Sequence, residues 1–309
     1  MVISVSDRPD TILLPSLPLA AWQDTYTTLH LWTQIVGKIQ LALTPSINHW
    51  WHSTFSVTPR GLTTGTIPYK HRSFEIRFDF ISHQFQIETS DGATEQIALV
   101  PRSVADFYDA VMKALNKLDL EVAIWTMPQE LPDPIPFELD DRHAAYDRAS
   151  AHRFWQILAQ VNRIMTIFRS SFVGKSSPVQ FFWGSFDLAP TRFSGRLASR
   201  HPEVPGMADW ITQESYSHEL SSCGFWAGGG AVTEPAFYAY AYPQPEGYST
   251  YPIQPKEAFY HPQLGEFILP YEAVRQAVDP AALLLTFLHS TYEAAAILGK
   301  WDRATLERA

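Results

Sequence analysis

The sequence predicts an α+β fold of two pseudo-repeated helix–antiparallel sheet–helix units, with long helices packed on antiparallel sheets. Three observations predict it. Apolar residues recur at helical spacing in four long segments. Apolar and polar residues alternate through Phe74–Phe80, the period of a half-buried strand. An aromatic pattern in the first half returns in the second.

Trp32, Ile35, Val36, Ile39 and Leu43 mark the first helix, placed over Thr25–Leu43 and ended by Pro45. The second starts at Ser103, with Asp106 as its capping-box acid, and carries the stripe Val104, Phe107, Val111, Leu115 and Leu118. The third and longest spans about Asp147–Phe172, with Phe154, Leu158, Val161, Met165, Phe168 and Phe172 on one face. The fourth starts at Asp279-Pro280, with proline at its first helical position, and ends near Leu298. Strands are expected at Phe74–Phe80, Phe85–Ile87 and Gln96–Val100, the last entered through an Asp91-Gly92 turn. In the second half they are expected at Gln180–Leu188, Tyr216–Phe225, Pro235–Tyr242 and Glu266–Leu269.

His49–Arg60 can be laid over Phe181–Arg192 with one residue slipped on each side of the proline, as a β-bulge would require. The shared pattern is Trp, Ser, Phe, aliphatic, Pro, Arg. The expected division is an N-terminal extension (1–21), a first α+β half (22–127), a Pro-rich linker (128–146) and a second α+β half (147–309).

With 46% hydrophobic and 18% charged residues, the chain can bury a full core, which excludes bulk disorder. The run Ala281–Leu285 falls far short of the ~20 residues a membrane span needs, and Met1–Pro18 lacks the pattern of a secretion signal. A single cysteine, Cys223, excludes an internal disulfide and a cysteine zinc site. A net charge of −9 without a Lys/Arg run argues against nucleic acid. The expected setting is cytoplasmic, with no membrane and no nucleic-acid partner, and the oligomeric state is left open. Charge is uneven: residues 142–200 carry a net +7 and residues 201–309 a net −8. The positive segment suggests either mutual neutralisation across the fold or a local anion site.

Phe182-Trp183-Gly184-Ser185-Phe186-Asp187-Leu188 resembles the marker of an uncharacterised microbial domain-of-unknown-function family known by its "SFDL" motif. Leu31–Lys38, Asn48–Trp51 and Glu234–Tyr240 look like further segments of it, so the likeness covers about residues 22–305. The resemblance implies a shared architecture and supplies no catalytic residues.

Several local motifs fail on context. Gly174-Lys175-Ser176 leaves a helix and has Arg169 where a phosphate loop needs glycine, so Gly174 reads as a left-handed helix cap. Gly228-Gly229-Gly230 lacks the following amphipathic helix of a dinucleotide loop. His49 with His52, His218 with Glu219, and His289 with Glu293 offer metal-ligand types without a metal signature. Ser185, Asp187 and His218 lack a nucleophile elbow.

Asp187 stands out. On a regular strand it shares a face with Phe181, Trp183 and Ser185, and a buried acid there needs a partner, for which Arg192 is the candidate. Tyr238, Tyr240 and Tyr242 form an amphipathic stripe suited to a ligand groove or a partner surface. The expected function is binding of a small anionic or carboxylated ligand in an aromatic pocket, without a cofactor. Asp187, His218 and Glu219 are its acid–base candidates, and Trp51, Trp183, Ser185, Arg192, Tyr216 and Tyr240 its ligand contacts. No metal ligands are assigned. A Tyr-faced interaction module and a His/carboxylate metal-dependent enzyme are the alternatives.

Overall fold

The computed structural model describes residues 14–204, 208–230 and 232–308. The expectation for the first thirteen residues therefore lies outside the described residues. The fold is α+β, with helices packed on two antiparallel sheets.

In the first half, helix α1 (Gln23–Leu43) precedes strands β1 (Ser56–Thr58), β2 (Gly61–Thr63), β3 (Ile67–Tyr69), β4 (Arg72–Asp79), β5 (Gln84–Thr89) and β6 (Thr94–Ala98), and α2 (Val104–Lys117) closes it. The sheet runs β1-β2-β4-β5-β6, with β3 also pairing β4. Phe74, Ile76, Phe78 and Phe80 are buried, as their alternation requires. Ser103 caps α2 by accepting from the Asp106 N–H at 3.0 Å.

The second half opens with α3 (Arg148–Ser170), capped by the Asp147 carboxylate. Strands β7 (Gln180–Phe182), β8 (Asp187–Ala189) and β9 (Thr191–Leu197) follow, then helix α4 (Asp209–Ser215) and strands β10 (His218–Trp226), β11 (Ala236–Tyr242), β12 (Phe259–His261) and β13 (Glu266–Pro270). Short helix α5 (Tyr271–Arg275), core helix α6 (Pro280–Leu298) and a last turn α7 (Arg303–Leu306) end the chain. This sheet runs β12-β13-β11-β10-β8-β7, with β9 also pairing β10. By length and composition α6 is apolar enough to cross a membrane. It instead buries Leu284, Phe287, Leu288, Tyr292 and Ala294–Ala296 in the core.

Setting β12 aside, the two ladders follow the same order, with β3 on β4 matching β9 on β10. The ladders equate β1 with β7, whereas the recurring sequence pattern lays β1 on β8, so pattern and ladders are one strand out of step. The sheets meet where Phe55 and Phe181 exchange backbone bonds of 2.9 and 2.8 Å.

Two local expectations are corrected, and a further turn precedes β1. Gln180–Leu188 is not one strand: Trp183–Phe186 form a hairpin turn, and Phe186 takes φ 59. Its ring makes this tolerable by packing against Tyr26, His30 and Phe154 at 5.0, 5.0 and 5.1 Å. The stretch before β1 is a 3-10 turn, Asn48–Ser53, in which His49 and Trp50 are left-handed. Gly174 is not left-handed, and the cap of α3 is Ser171; Gly174 is small because Phe172 and Leu306 crowd it.

Candidate functional site

The two faces of the second sheet have opposite chemistry. Alternation along β10 sends Ser221, Cys223 and Phe225 to one side and Ser222, Gly224 and Trp226 to the other. Cross-strand pairing puts Tyr238 beside Gly224 and Tyr240 beside Ser222, so the Tyr stripe lies on the second side. Asp187 pairs with Trp226 and joins it there. Glu266 falls on the same face, two residues before Ile268, the partner of Tyr238.

Asp187 is buried and accepts hydrogen bonds from the Ser185 hydroxyl and the Tyr238 phenol. The hairpin turn makes the first possible, because it folds Ser185 back over Asp187. Gly224 makes the second possible, because any Cβ there would overlap the Tyr238 ring that crosses it. Burial pushes the Asp187 pKa up, opposed by these two donors.

Two further carboxylates stand close enough to feel Asp187. Burial, then the charge of Asp187, pushes both Glu130 and Glu266 up to about 7. Glu130 arrives on a strained loop, at φ 57, in the stretch expected to be a linker. Gln34 on α1 pins that loop: its amide donates to the Gln129 carbonyl and accepts from the Gln129 N–H, both at 2.8 Å. Four residues earlier on α1, the Nε2–H of His30 donates to the Gly184 carbonyl at 2.8 Å, steadying the hairpin. Burial lowers the His30 pKa to about 4, so this ring is neutral.

The walls are phenols that stay protonated. Burial pushes Tyr238 and Tyr240 well above their ordinary range and Tyr26 to about 12. Tyr216 and Tyr240 share a hydroxyl contact of 3.3 Å. Among the described residues, no Lys, Arg or His forms an ion pair with Asp187, Glu130 or Glu266. Chemically the face offers fixed phenol donors, an uncompensated buried acid, and two carboxyls that exchange protons near neutral pH.

The structure thus brings together Asp187, Ser185, Tyr216 and Tyr240 of the expected residues, and scatters the rest. Arg192 is not the partner of Asp187. It pairs with Ser221 across β9 and β10 and so faces the opposite side, where its guanidinium stacks 3.5 Å from the Phe168 ring and 4.3 Å from Tyr292. The expectation failed because β8 and β9 run on along β10 in a single register, without folding back at Pro190, which leaves Asp187 and Arg192, five residues apart, on opposite faces. His218 begins β10 and Trp226, beside Asp187, ends it, roughly 26 Å away at ~3.3 Å per residue. Glu219 pairs with Arg196 at 2.6 Å and lines a separate hollow of about 200 Å³ with Leu220, Tyr242 and Trp301. Trp183 is core: its indole covers Gly37 and donates to the Ser53 carbonyl. Trp51 lies near Lys175 instead. Among the described residues, no three His, Cys, Asp or Glu side chains converge to hold a metal.

Sequence reading missed Glu130, Glu266 and Tyr26. Glu130 carried no signal of its own, since Asp133, Glu138, Asp140 and Asp141 follow it within eleven residues. Residues 14–308 match the family of unknown function described as DUF5996, and the chain belongs to that family. No curated protein and no solved structure matches it.

Proposed function

We propose that the Tyr face of the second sheet binds a small organic cation, such as an amine, with Glu130 and Glu266 as its acid–base pair. The observation that supports this most is the buried Asp187 carboxylate, which among the described residues has donors but no counter-charge, flanked by two carboxyls that burial, and then its charge, pushes up to about 7. An ammonium group would supply the missing charge, and tyrosine rings favour cations over their faces. The anionic ligand expected from the +7 segment has less support. Arg192 is buried on the other face, Arg196 pairs with Glu219, and Lys175 bonds His49. A flat partner surface is less suited as well, because the Tyr238 and Tyr240 hydroxyls are already engaged.

The test is thermal shift with choline, putrescine and benzylamine against citrate and benzoate. The amines should raise the melting temperature, and Asp187→Asn should remove the effect. Calorimetry in buffers of different ionisation enthalpy should show protons released on binding, because a cation favours ionised Glu130 and Glu266. Stabilisation by the carboxylates alone would reject the reading.

We also propose that the halves descend from one duplicated unit, supported by the matching strand orders. The matching ladders equate β8 with β2, whose residues Gly61–Thr63 carry no acid, so the second copy would have gained Asp187.

A further inference from the structure

A different cluster lies at the β9 edge of the same sheet. His49 and Trp50 adopt φ 57 and 62, rare for residues of this size, and such strain gathers at functional sites. The surrounding contacts over-determine the turn. The His49 N–H donates to the Glu214 carboxylate at 2.9 Å, and the Trp50 indole donates to the Ile211 carbonyl at 3.1 Å. His49 Nδ1 faces the carbonyls of Glu214 and Ser215 at 3.1 and 3.2 Å. Carbonyls only accept, so the ring proton sits on Nδ1 and Nε2 presents a lone pair. Lys175 Nζ stands 2.7 Å from that lone pair.

The lysine is held from two other sides. Its carbonyl accepts from the Phe193 N–H at 3.0 Å, and its ammonium lies 5.0 Å from the Phe193 ring and 5.7 Å from Trp51. The His49 ring stacks on Phe193 at 4.4 Å, and His218 stands 5.8 Å from it. Lys175 is partly exposed, whereas His49 is buried.

We propose that Lys175 is a carbonyl-reactive amine activated by His49, and that its substrate is a small aldehyde or ketone. The ammonium passes one proton through His49 Nε2 to solvent. The free Nζ pair then adds to the carbonyl carbon. The carbonyl oxygen gains two protons, one from Nζ and one from His49 or solvent, and leaves as water, so an imine replaces the C=O bond. Phe193 and Trp51 supply ring faces for the protonated imine. Burial lowers the pKa of Lys175, opposed by the charge of Glu214, and burial followed by Lys175 lowers that of His49.

The chain has seven lysines, which provides internal controls. The intact protein is treated at pH 7 with propanal and sodium cyanoborohydride, and labelled peptides are followed over time. Lys175 should be alkylated at least tenfold faster than Lys113, which is well exposed, and buried Lys38 should stay unlabelled. His49→Gln should bring Lys175 down to the Lys113 rate while circular dichroism stays unchanged. The idea is overturned if Lys175 in the unaltered protein reacts no faster than Lys113, or if folded His49→Gln keeps the preference. Should His49→Gln fail to fold, the rate ratio in the unaltered protein decides alone.

Discussion

The carboxylate of Glu130 occupies the space where a side chain on Gly184 would begin. A methyl group there meets the end of a flexible side chain, whereas one on Gly37 meets the buried indole of Trp183. Gly184→Ala should therefore push Glu130 outward and drop its pKa towards the ordinary glutamate value, with little change in melting temperature. Gly37→Ala should cost about 1–3 kcal/mol by overpacking. Carboxyl titration by NMR and thermal melts check the pair, and identical behaviour in both variants would contradict the contact.

Stability should fall as pH rises through neutrality. Glu130 and Glu266 titrate near 7 when folded, against 4.5 ordinarily, so the folded chain holds extra protons in that window. Their contribution is full below 4.5 and is lost as pH rises through about 7. His30 acts oppositely: folded near 4 against 6.5, it costs stability as pH falls from 6.5 through 4. From pH 7 to 8 the unfolded His30 ring is mostly neutral and the two carboxyls outweigh it, so the urea midpoint should decline there. Glu130→Gln with Glu266→Gln should flatten the slope. A rising midpoint in the unaltered protein would refute this assignment.

Tyr238→Phe should destabilise the fold by about 1.5–3 kcal/mol, the usual worth of a hydrogen bond to a charged group. It leaves buried Asp187 with Ser185 as its remaining side-chain donor, and the Asp187 pKa should rise further. Equilibrium unfolding measures the first effect, and carboxyl titration the second.

Arg192→Ala should cost roughly 2–5 kcal/mol, as large-to-small core changes do. Arg192 is 2% exposed, stacks on Phe168 and Tyr292, and donates to the Phe168 carbonyl and to Ser171. Amine binding at the Tyr face, measured well below the melting point, should be unchanged. A variant with normal stability and lost binding would place Arg192 in the site after all.

The helices were legible because their stripes are long: Ser103 and Asp147 cap where the spacing says they should. The Tyr stripe was legible for the same reason, since period-2 alternation survives any register. The partner of Asp187 was not. Which face a strand residue takes depends on the turn before it, and a shift of one residue reverses it. Here that turn hangs on a left-handed Phe186, which no glycine or asparagine announces. Glu130 was hidden differently, because its position comes from Gln34, whose side chain holds the backbone of Gln129, ninety-five residues further along the chain.

The bridge between Phe55 and Phe181 joins the two sheets, and the cluster around Asp187 draws on both sides of that seam. Tyr26, His30 and Gln34 precede it, while Asp187, Tyr238 and Glu266 follow. The protonation of that cluster is then a gauge of how firmly the halves are clasped. A chain nicked among Pro132, Pro134 and Pro136 would report its own reassembly: fragments that re-dock should recover the near-neutral titration of Glu266, and separated ones should return it to the ordinary range.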